Sequence, residues 1–176
     1  PPQWYRYPGN IDHALMAAAS GKGLIFSSRC STVADASAVT GDAIYNVDGI
    51  VSEFRFFDIW DEPSQKVNKI KEWVYEFGAV SVSVFIGSYD AVRGLAFTQK
   101  WDYTKVSHAV LIVGWDDTKY TDTGTGAFLI KNTWGESWGN GGYPFLSYNA
   151  EMGRTIYTAK VEPAYGKCIL THTEIM

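Results

Sequence analysis

Two residues in this chain have the type and spacing to move a proton. His108 opens the apolar run Ala109-Val110-Leu111-Ile112-Val113-Gly114-Trp115, and Asn132 closes the next one, Ala127-Phe128-Leu129-Ile130-Lys131. A histidine at a strand end has its backbone fixed by the sheet while its imidazole faces a cleft, which suits a general base. If the two runs pair as strands, the Asn132 amide oxygen can accept from one ring N–H and fix the tautomer. The other ring nitrogen is then free to exchange a proton with a nucleophile. Trp134 and Trp138 follow, and indoles covering such a bond would keep competing water away. The glycines Gly135, Gly139, Gly141 and Gly142 let the backbone turn tightly beneath those rings. An aromatic turn or a tryptophan-lined sugar-binding loop would account for the Trp and Gly residues. It gives no reason for the His and Asn.

Other candidates are weaker. His13 has no partner nearby in sequence and reads as an exposed or core-edge histidine. Asp58, Asp61 and Glu62 have the look of paired carboxylates for glycoside hydrolysis. Their position before Pro63 favours a solvated helix start. Of the two cysteines, Cys30 lies in Ser27-Ser28-Arg29-Cys30-Ser31-Thr32, and Cys168 follows the histidine. They either form one bridge or remain two free thiols, a choice the sequence leaves open.

The elements that must hold these groups can be read from periodicity. Ile11 to Ala19 makes a short helix with Ile11, Leu15 and Ala18 on one face. Residues 24 to 45 have no sustained period and read as loop. Ile50 to Phe57 has strand composition. Val67, Ile70, Trp73, Val74 and Phe77 predict a helix begun at Pro63 and ended by Gly78. Val80 to Ile86 alternates as one strand, and Ala109 to Trp115 is continuous enough to be buried on both faces. Residues 116–126 read as a polar connection to the strand at Ala127 to Ile130. Strands at 143–148 and 155–159 complete the chain. The order of helices before strands gives an α+β fold.

Composition narrows the partners. The 176 residues are 46% hydrophobic, ample for one folded domain. With 15 basic and 19 acidic residues the net charge is −4, and no Lys/Arg cluster could neutralise a row of phosphates, so nucleic acid is not expected. No apolar run reaches the roughly 18 residues that span a bilayer, and no signal peptide opens the chain. Both ends read as cut from a longer protein.

Ser107-His108-Ala109-Val110-Leu111-Ile112-Val113-Gly114-Trp115, then Leu129-Ile130-Lys131-Asn132-Thr133-Trp134-Gly135, Trp138-Gly139 and Gly142-Tyr143, resembles the histidine and asparagine motifs of the papain-like cysteine peptidases. The resemblance covers residues 8–162. It implies a left-domain remainder and crossover helix over 8–78, a right β domain over 79–162, and a following segment from 163 to 176. By this resemblance the fold is papain-like, with an antiparallel β-barrel-like domain, and the enzyme hydrolyses peptide or protein substrates without cofactor or metal. His108 is then base and acid, Asn132 its orienter, Trp134 the shield and Trp138 the wall on the leaving-group side. Ser107, Gly9 and Asn10 edge the substrate subsites. The continuation Asp116-Asp117 and the Thr-Gly-Thr-Gly loop are similar to bacterial secreted or cell-surface members.

One departure matters. The family's nucleophile lies in a Gln…Cys-Gly-Ser-Cys-Trp-like stretch near the start of its domain, and nothing here matches it. The expectation is that the nucleophile and its central helix lie upstream, in a missing N-terminal segment that this chain needs as a partner. Two other readings are an inactive homologue that binds peptide or sugar, and a compact self-contained peptidase using Cys30.

Overall fold

The computed structural model describes residues 11–19, 24, 47–98 and 108–164. Cys30, Cys168, Ser107, Gly9 and Asn10, and the loop expected over 25–45, lie outside the described residues. The larger compact unit is Arg55–Thr158. Of the other unit the described parts are a short helix α1 (Ile11–Ala17), the start of strand β1 (Gly49–Asp58) and the end of the last strand, β8 (Thr155–Pro163). His13 is exposed on α1.

In the larger unit a 3-10 turn at Pro63–Gln65 leads into α2 (Lys66–Phe77). Its predicted apolar face is realised, with Ile70, Trp73 and Val74 buried. Gly78 ends the helix at φ 88°, its N–H donating to the Val74 carbonyl at 2.9 Å, a left-handed cap that glycine adopts without strain. The acidic residues before the helix serve structure. Asp58 Oδ1 accepts from the N–H of Trp60 and Asp61, and Arg154 pairs with both Asp58 and Asp61. Burial pushes the Asp58 carboxyl up, but those hydrogen bonds and the Arg154 charge outweigh it and hold it below its ordinary range.

The strands are β2 (Val80–Val84), β3 (Ile86–Asp90), β4 (Leu95–Thr98), β5 (His108–Thr121), β6 (Gly124–Lys131) and β7 (Phe145–Ser147). Their order, starting from β8, is β8-β2-β5-β6-β7-β4-β3. All pairs with given register are antiparallel except β4 with β7, which is parallel. In a flat sheet β2 and β3 would lie five strand spacings apart, about 24 Å at about 4.8 Å each. Only Phe85 links them, a span of at most about 7 Å. The sheet must therefore curl until β3 returns toward β2, and the inward faces of β2, β5, β6 and β7 fill the core with Val82, Ile112, Phe128 and Leu146.

Three sequence expectations change. The run 80–86 breaks at Phe85 into two strands, because the curled sheet needs a corner there. Residues 116–126 are not a connection: β5 and β6 continue as a ribbon that turns only at Asp122 and Thr123. Its polar side chains find distant partners, Asp117 with Lys71 and Tyr148, and Asp122 with Arg93, so polarity marked a solvated ribbon rather than a loop. Finally, β5 is buried on one face only. Val110 and Ile112 are buried, while Leu111 and Trp115 are 39% and 37% exposed.

Candidate active site around His108 and Asn132

His108 is the first residue of β5 and stands opposite Val84, the last of β2. On its other side β5 pairs with β6, Leu111 opposite Lys131 and Ile112 opposite Ile130. Carried outward, that register sets Trp134 across from His108 and Asn132 one diagonal away. Side chains alternate along a strand, so His108 shares the face of Val110 and Ile112, and Asn132 that of Ile130 and Phe128. Both faces point inward, which is why the two side chains meet.

They meet closely. His108 Nε2 lies 2.7 Å from Asn132 Oδ1. The same oxygen accepts the Thr133 N–H at 2.7 Å, and an amide flipped the other way would oppose that N–H with its own NH₂. The oxygen is therefore the atom facing the ring, and an amide oxygen can only accept. Nε2 must carry the proton, and Nδ1 is left as the free basic nitrogen. Asn132 is 7% exposed, and its backbone N–H donates to the Gly142 carbonyl at 3.0 Å.

The segment after β6 supplies the cover. The Trp134 ring stacks on the imidazole, centroids 4.7 Å apart and planes 21° apart, and meets the edge of Trp138 at 4.7 Å. Trp134 is 47% exposed, so one face meets solvent and the other the imidazole. The backbone doubles back through a left-handed turn at Gly139 (φ 66°), Asn140 (φ 55°) and Gly141 (φ 70°). A Cβ on Gly139 would lie 2.9 Å from Cδ of the buried Pro144, so glycine is required by space as well as by φ. Tyr89 of β3 packs on Trp138 with centroids 5.1 Å apart, a neighbour that sequence reasoning did not name, because only the curl of the sheet brings β3 here.

The structure thus gathers His108, Asn132, Trp134 and Trp138 in one place. A second concavity of about 260 Å³ lies at the opposite end of the β5–β6 ribbon, by Leu95, Thr121, Ser147 and Asn149. Its Thr121, Thr123, Ser147 and Asn149 groups bond to one another, and its Asp122 pairs with Arg93. Among the described residues no group of three or more His, Cys, Asp or Glu could hold a metal ion, and no helix is long and apolar enough to cross a membrane.

A curled sheet packed by one helix is the α+β architecture of papain-like proteins. Solved structures share it: the cysteine protease and lectin-like domains of Cwp84, a surface layer associated protein of Clostridium difficile, superpose with a TM-score of 0.64 at 18% identity over 85% of this chain and 36% of that one. Digestive procathepsin L2 from Tenebrio molitor gives 0.55 at 21% identity, over 86% and 47%. The chain belongs to the papain family of cysteine proteases, whose family profile matches residues 47–164. Mouse cathepsin K is 40% identical over 83 residues, 46% of this chain and 24% of that protein. The viral cathepsin of Heliothis zea nuclear polyhedrosis virus is 36% identical over 87 residues, 49% and 21%. The chain therefore spans less than a quarter of the length of these curated relatives.

Proposed function

We propose that this chain supplies the base and the orienter of a cysteine peptidase, and that the nucleophilic thiol comes from a cysteine upstream of Pro1 in the intact protein. The observation that carries the reading is the 2.7 Å bond from His108 Nε2 to Asn132 Oδ1, which leaves Nδ1 as the nitrogen that can take a proton. In the reaction Nδ1 removes the thiol proton, and the imidazolium so formed stabilises the thiolate. The thiolate attacks the substrate carbonyl and the amine leaves with the proton returned by Nδ1. Water, deprotonated by the same nitrogen, then hydrolyses the thioester and restores the thiol. Asn132 holds the ring through each transfer and moves no proton itself. Trp134 shields the bond, and Trp138 borders the leaving-group side. Substrates are peptides or proteins, and a secreted or surface location fits the likeness to a surface layer associated protein.

The test is peptide mapping of the intact protein after treatment with an epoxide thiol inhibitor, beside an assay on a fluorogenic peptide. Label on an upstream cysteine with loss of activity supports the proposal. Label on Cys30 would overturn the placement of the nucleophile in favour of a self-contained peptidase. No label and no turnover, with peptide or sugar still bound through Trp134 and Trp138, would make the protein an inactive binding homologue.

A further inference from the structure

Trp134 stacks on the His108 imidazole, the ring that bonds to Asn132. It follows the strand end, is 47% exposed and precedes Gly135, whose φ of 89° gives the backbone a hinge-like turn. Beside the imidazole, its ring meets the edge of Trp138 at 76° between planes. Trp138 in turn is packed against the core on one side and against Tyr89 on another, rings 5.1 Å apart and tilted by 38°. The four rings form one row: imidazole, Trp134, Trp138, Tyr89.

Tyr89 is the member whose own position is set independently of the site. It is the penultimate residue of β3, opposite Ala96 of β4, and the next residue, Asp90, caps the following turn by accepting from Val92 and Arg93 N–H. Its place is thus fixed by a hairpin that contributes no other residue to the row. Among the described residues its hydroxyl makes no hydrogen bond, so the ring is what it offers.

Resting on the base-and-orienter reading above, we propose that Tyr89 is a positioning residue for this site: by bracing Trp138 it keeps Trp134 seated on the imidazole and water off the His108–Asn132 bond. An aromatic neighbour of this kind adds specific edge and face attraction beyond the area it buries, which an aliphatic side chain does not supply.

The experiment follows the Nε2–H proton by NMR in intact protein carrying ¹⁵N-histidine, comparing its exchange with water in the wild type, Tyr89→Phe, Tyr89→Leu and Tyr89→Ala. The wild-type proton is expected on Nε2 and protected, and Tyr89→Phe should match it. Tyr89→Ala and Tyr89→Leu should exchange about two- to tenfold faster, the range set by the loss of one aromatic pair. Tyr89 lies outside the fully buried core, Phe keeps its ring and Leu keeps a smaller apolar side chain in its place, so their comparison decides the matter even where the Ala variant folds poorly. Equal protection in Tyr89→Leu and wild type overturns this inference alone. A wild-type proton on Nδ1 instead overturns the base-and-orienter reading, and this inference with it.

Discussion

Gly139 and Gly141 offer a controlled comparison, because both have the same left-handed φ and only one is crowded. Their φ values are 66° and 70°. An alanine at either position takes on the cost of a left-handed L-residue, about 1–2 kcal/mol. Around Gly141 nothing lies within 4 Å of an added Cβ, so Gly141→Ala should cost that amount and no more. At Gly139 the added Cβ would meet Pro144 Cδ, Cγ and Cβ at 2.9, 3.1 and 3.3 Å. Pro144 is fully buried, its ring is rigid, and its carbonyl accepts the Ile130 N–H at 3.0 Å, so it cannot turn aside. Overpacking of this kind adds about 1–3 kcal/mol. Gly139→Ala should therefore lose about 2–5 kcal/mol in all, a large share of a typical domain's stability. Urea unfolding followed by circular dichroism and tryptophan fluorescence measures both. If the two variants unfold within about 0.5 kcal/mol of each other, Pro144 does yield and the steric account of this turn is wrong.

Two further outcomes follow from the same structure. Asn132→Ala should lower kcat by about tenfold to a hundredfold, the worth of a hydrogen bond to a charged ring, with a smaller effect on KM, measured by steady-state kinetics on the intact protein. Asp117 is held below its ordinary value of 3.8 by hydrogen bonds from Lys71 and then Tyr148, and Asp90 by those from Arg93. A carboxyl depressed in the folded state stabilises it above the unfolded value and loses that contribution as pH falls through the folded one. The melting temperature should therefore drop as pH is lowered from about 4 toward 2, and less steeply in Asp117→Asn. A melting temperature unchanged over that window would contradict those contacts.

Much of the site was legible because alternation and helical spacing are local properties. His108 and Asn132 could be placed at the ends of neighbouring strands from the apolar runs that precede or follow them. Strand pairing with a fixed register then puts both on the inward face. The helix at 66–77 was equally readable from Val67, Ile70, Trp73, Val74 and Phe77, with Pro63 and Gly78 as its limits. What escaped depends on contacts distant in sequence. The ribbon at 116–126 has the composition of a loop; Asp116 is satisfied locally by Thr118, but Lys71, Tyr148 and Arg93 are needed to explain how Asp117 and Asp122 are satisfied. The exposed face of β5 could not be told from a buried one, since Leu111 and Trp115 are apolar whichever way they point. Tyr89 gave no signal at all, because its nearness to Trp138 follows from the curl that the single residue Phe85 forces between β2 and β3.

The central claim is that Nδ1 of His108 activates a thiol, and a single comparison addresses it: the rate at which the intact protein turns over a fluorogenic peptide, wild type against His108→Ala, with circular dichroism to show that both are folded. Loss of the base and of the imidazolium that stabilises the thiolate should lower kcat/KM by about a thousandfold or more. A His108→Ala protein that stays folded and keeps activity within a few-fold of wild type would contradict the account.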